Sequence, residues 1–84
     1  MTISITFKKQ GEYQFIEFTP KHCHMEVHGP AITLDCEFES QIERETLNSI
    51  FIKKLSDLCT HTLKDTFLSV TLPISQIVAM QVED

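Results

Sequence analysis

Glycine and proline are scarce here, at two and three residues in a chain of 84. That scarcity excludes a flexible linker or a low-complexity tract, and no internal repeat is visible. A chain of this length has room for one hydrophobic core, so residues 1–84 are read as a single domain. No apolar run approaches the roughly 20 residues that span a bilayer. The opening residues Met1 to Ile5 lack the basic segment and apolar run of a signal peptide, so none is expected. Cysteine occurs three times, an odd number at scattered spacing, which opposes the disulfide framework of a secreted domain. Together these absences lead to the expectation of a cytoplasmic protein with reduced, mostly buried thiols.

Positive charge is also in short supply: 7 lysines and arginines stand against 12 acidic residues, for a net charge of −5. Direct nucleic-acid binding is opposed, because it needs cations to displace counterions from phosphates. Binding to an anionic membrane is opposed for the same reason. Arg44, the single arginine, gives little scope for clamping a phosphorylated substrate. There is no phosphate-cradling glycine loop, no nucleophile elbow and no zinc-knuckle spacing. No cofactor is expected, and nothing in the chain argues for catalysis.

What the chain has is alternation. "TISITFK" sends Ile3, Ile5 and Phe7 one way and Thr2, Ser4, Thr6 and Lys8 the other, the period of a half-buried strand. A turn at Gly11 leads into "YQFIEFT", whose apolar residues fall on both faces: Phe15 against Ile16 and Phe18. Such a strand is either covered twice or faces a partner, and Pro20 ends it. "KHCHMEVHGP" and "AITLDCEF" form a hairpin about Gly29 and Pro30. With those two as the turn, His28 faces Ala31, Val27 faces Ile32, Met25 faces Leu34 and Cys23 faces Cys36. On the other face His24 opposes Asp35 and His22 opposes Glu37. All inward pairs are apolar, and a slip by one residue would expose the whole set.

The period then lengthens. Leu47, Ile50, Phe51, Leu55, Leu58 and Cys59 recur at three and four residues, with Lys53, Asp57, Thr60 and Lys64 opposite. Ser40 followed by Glu43 is a capping-box signature, so a helix is predicted from about Gln41 to about Lys64. Ile42 and Ile52 lie off its main apolar stripe. "FLSVTLP" returns to alternation, and "ISQIVAMQVE" fits a strand, although Ser75 could cap a single helical turn. The expected architecture is α+β: one antiparallel sheet of about five strands in the order ββββαβ, with room for one more. One long amphipathic helix packs on one face of it.

Three histidines and a cysteine within residues 22–28 raise the question of a metal. His24 and His28 lie roughly 13 Å apart along a strand, too far to share an ion, whereas His22 and His24 are about 6.6 Å apart on one face. His22, His24 and Glu37 are therefore the metal candidates. A flat outer strand face provides no cleft or supporting shell, and histidine opposite carboxylate is an ordinary favourable cross-strand pair. The solvated strand face is the better reading. Cys23 and Cys36 point inward and Cys59 lies on the helix stripe, so structural thiols are favoured over a nucleophile.

Charge is the most uneven feature. Asp35, Glu37, Glu39, Glu43 and Glu45 fall within eleven residues, relieved only by Arg44. They are the candidate partner-binding residues, weighed against helix-dipole and solvation roles. The leading expectation is a small non-catalytic protein-interaction module that self-associates as a homodimer and engages a protein partner, a basic one by charge. One alternative is an acidic inhibitor or decoy occupying a basic, nucleic-acid-binding site on another protein. A second is a small metal-binding protein or enzyme using His22 and His24.

Overall fold

The computed structural model describes residues 1–54 and 59–84, with 59–64 described by their backbone. The elements run β1 (Thr2–Lys9), β2 (Glu12–Phe18), β3 (His22–His28), β4 (Ala31–Glu37), α1 (Gln41–Lys54), β5 (Cys59–Lys64), β6 (Phe67–Pro73) and β7 (Ile77–Glu83). A single 3-10 turn, Ile74–Gln76, links the last two strands. Among the described residues the fold is α+β, with antiparallel sheets and one α-helix.

Local chemistry sets the two N-terminal hairpins. Gln10 and Gly11 both take positive φ, 52° and 82°, the pattern of a type I′ turn, and Lys9 pairs with Glu12. Gly29 takes φ 57° and is followed by proline, which suits a II′ turn, since only its first central residue needs positive φ. Pro30 therefore fits the hairpin, and the ladder from His28–Ala31 to His22–Glu37 has the register expected from the apolar pairs.

The single five-stranded sheet is replaced by two sheets. One has the order β2-β1-β7 and the other β3-β4-β6-β5. The inward residues of β1 (Ile3, Ile5, Phe7), β2 (Ile16, Phe18), β4 (Leu34, Cys36) and β6 (Leu68, Val70, Leu72) join in one buried cluster. Helix α1 adds Leu47 and Phe51 to it, with half-buried Ile50 packed against it. Three helical side chains cannot cover a five-stranded sheet, and the apolar faces of the two sheets meet in the one cluster. Between β2 and β3 the chain passes through Thr19, Pro20 and Lys21, and these two strands do not pair.

The helix is also shorter than its periodicity suggested, and it does not lie on one sheet face. It contacts β2 of one sheet and β5 and β6 of the other. Ser40 caps it as expected, its hydroxyl accepting the Glu43 amide at 3.2 Å. At its far end Lys54 Nζ donates to the Phe15 carbonyl at 2.8 Å, so the helix runs beside the outer edge of β2. Cys59, Thr60 and Lys64, placed on the helix by the 3.6-residue period, belong instead to β5. That strand pairs with β6, with Cys59 opposite Thr71 and His61 opposite Ser69. "CTHTLK" is as compatible with alternation as with a helix, and pairing satisfies the second edge of β6. Leu55, Asp57 and Leu58 lie outside the described residues.

Phe18 joins the layers. Its ring centroid stands 5.9 Å from that of Phe51 in an edge-on arrangement and 6.4 Å from that of Phe38. Phe51→Ala should therefore destabilise the fold by about 3–5 kcal/mol, the cost of a large buried aromatic. Urea unfolding with an unchanged m-value measures it, and a loss under about 1 kcal/mol would remove Phe51 from the core.

Candidate functional site

A depression lies between the end of β2 and the first turns of α1. Phe18 and Phe38 form its base, and Ile42, Leu47 and Ile50 of α1 form one wall. Its volume is about 330 Å³, and the lining is chiefly apolar. Glu17 and Glu43 stand at its rim. Phe18, Phe38 and Leu47 are held by the core, so the base is rigid, whereas Ile42 is 79% exposed. An exposed isoleucine beside a fixed aromatic base is a place where an apolar group from elsewhere could be buried.

The five acidic residues are distributed over different surfaces. Asp35 and Glu37 lie in β4, on the face turned away from the core, opposite His24 and His22. Glu39 is exposed in the connection to α1. Glu43 borders the groove, while Glu45 pairs with Arg44 at 3.1 Å. The Arg44 side chain also donates to the Asp65 carbonyl at 3.2 Å, tying the helix start to the turn before β6. Glu17, from β2, is the groove carboxylate that charge clustering along the chain did not flag. Its only sequence signal is its place between Ile16 and Phe18.

Across the second sheet, register places His24, Asp35, Ser69 and His61 in one row over four strands. A hydrolytic triad needs an imidazole between hydroxyl and carboxylate. In this row the carboxylate position lies between His24 and Ser69, so its order does not provide one. On β3 the His24 and His28 imidazoles approach Glu26, at 3.7 and 3.5 Å. Those side chains are more than half exposed, so the contacts are worth little. Among the described residues no group of three or more histidine, cysteine, aspartate or glutamate side chains is placed to hold a metal ion. His22, His24 and Glu37 thus do not converge.

No helix among the described residues is long and apolar enough to cross a membrane. Compared with known proteins, the chain matches no family model, no curated protein and no solved structure.

Replacing His22 and His24 together by threonine should leave the melting temperature within about 2 °C, as for exposed side chains without a structural role. Zinc should leave the wild-type melting curve unmoved as well. A zinc-dependent rise lost in the double variant would restore the metal reading.

Proposed function

We propose that this chain is a non-catalytic protein-interaction module whose groove between β2 and α1 receives apolar side chains of a basic partner segment. The observation that carries the reading is the combination of an apolar base, an isoleucine 79% exposed and carboxylates at Glu17 and Glu43 on the rim. Apolar burial supplies the affinity, and the rim selects cationic flanks over acidic ones. The net charge of −5 acts in the same direction by steering a basic segment toward the surface.

A synthetic amphipathic peptide of leucine and lysine serves as the probe, followed by amide chemical shifts of the whole chain. Shifts should concentrate on Phe18, Ile42 and Leu47. Burying most of an isoleucine contributes about 1.5–3 kcal/mol, so Ile42→Ser should weaken binding by roughly tenfold or more. Glu17→Gln should weaken it less and flatten its salt dependence. Binding that ignores Ile42→Ser, but collapses when Asp35, Glu37 and Glu45 are neutralised, would favour the acidic decoy instead.

Self-association has separate support in β7. Among the described strands it has β1 as its one neighbour, and its residues "IVAMQVE" carry a single charge. Val78, where the pairing with β1 shifts, is 55% exposed, and Val82 is 47% exposed. A largely apolar edge strand with so little charge is a template for another strand, and a second copy of β7 would fit it. Light scattering should give about twice the 9.7 kDa chain mass, and Val82→Lys should return the monomer. A wild-type monomer at high micromolar concentration would remove the dimer from this reading.

A further inference from the structure

The inward alternation of β3 and β4 sets two thiols face to face. Cys23 and Cys36 are register partners, and their sulfurs stand 3.2 Å apart, the Cys36 thiol donating to Cys23. The pair flanking a two-residue turn, His28 and Ala31, exchanges both ladder hydrogen bonds, and bonded and unbonded pairs alternate from there. Cys23–Cys36 is then an unbonded pair. At such positions Cα atoms lie about 4.5 Å apart, within the range of about 4.4–6.8 Å that disulfides span. Rotation of the side chains, without strand movement, can bring the sulfurs from 3.2 Å to the covalent distance of about 2.05 Å.

Burial gives the two thiols different parts. Cys36 is buried, and Cys23, on an edge strand, is partly exposed. The hydrogen bond from Cys36 lowers the Cys23 thiol below its ordinary pKa, outweighing burial and the charge of Asp35. The same hydrogen bond, with burial, pushes the Cys36 thiol up. The sulfur that solvent can reach is the more nucleophilic, and the buried sulfur keeps the proton.

We propose that Cys23 and Cys36 form a thiol–disulfide exchange site that takes a small-molecule disulfide, of the glutathione disulfide type, as oxidant. The Cys23 thiolate attacks one sulfur of the oxidant, breaking its S–S bond, forming a mixed disulfide and releasing the first small thiolate. Cys36 then loses its proton and attacks Cys23 Sγ, closing the protein disulfide and expelling the second small thiolate. The two protons of the protein dithiol end on the two released thiols, and two electrons pass to the oxidant. The new bond ties edge strand β3 to β4 on the inner face of the sheet.

The test is oxidation of the whole folded chain by glutathione disulfide, followed by alkylation of remaining thiols, tryptic digestion and mass spectrometry. Cleavage after Lys21, Arg44, Lys54 and Lys64 leaves Cys23 and Cys36 together in peptide 22–44 and Cys59 in peptide 55–64. Peptide 22–44 is expected unalkylated and lighter by two hydrogens, about 2 Da, with the same result in Cys59→Ser. Cys36→Ser should stop at a mixed disulfide on Cys23, and Cys36→Ala repeats that arm should the serine disturb the core. Three results would overturn the proposal: both thiols of 22–44 alkylated at saturating oxidant, a link between 22–44 and 55–64, or closure only after urea unfolding.

Discussion

The face-to-face closure of two small sheets is the constraint on which the other features depend. β1, β4 and β6 each present a strictly alternating apolar face, and the helix brings Leu47 and Phe51, with half-buried Ile50 beside them, to cover those faces. A chain this small has little surface to bury, and its buried residues form one cluster, where the two faces meet. Phe18 marks the joint, its ring against Phe51 of the helix and Phe38 beyond β4. With the sheets covering each other, the helix packs where they meet, against β2 of one and β5 and β6 of the other. The groove lies between that helix and the end of β2.

The same closure separates the surfaces by chemistry. Outward positions on β3 and β4 carry histidine, glutamate and aspartate, which suits a solvated face. Inward positions carry the cysteine pair, shielded on Cys36 and reachable at Cys23. The edges differ too. β3 bears His22, His24, Glu26 and His28, which discourage another strand from pairing, while β7 has little charge to do so. The proposed binding functions therefore use the helix side and the β7 edge, and the histidine-rich strand acts as a guarded edge.

Local features were largely legible in the amino-acid order. A period of two identified β1, β4 and β6, and apolar pairing set the register of the β3–β4 hairpin, including the opposition of Cys23 and Cys36. The pattern of β2 set Phe15 against Ile16 and Phe18 without saying which face is covered; the structure buries Ile16 and Phe18 and leaves Phe15 51% exposed. Ser40 announced the helix start through its hydroxyl. The candidate groove was legible only in pieces: Ile42 as a residue off the stripe and Glu43 as a cap. Glu17 carried no such signal, because its neighbours in the groove come from α1 and are distant in the chain.

Sequence alone determined turn chemistry, strand faces, hairpin register and the helix N-terminus, since each rests on steric and hydrogen-bonding preferences within a few residues. Tertiary structure decided where the helix ended and how the strands were shared between sheets. Residues 59–64 suit either period, and the unpaired edge of β6 settled their backbone as β5. The partition into β2-β1-β7 and β3-β4-β6-β5 rests on which apolar faces cover one another. That is a property of buried area summed over the whole chain, and no short window of residues contains it.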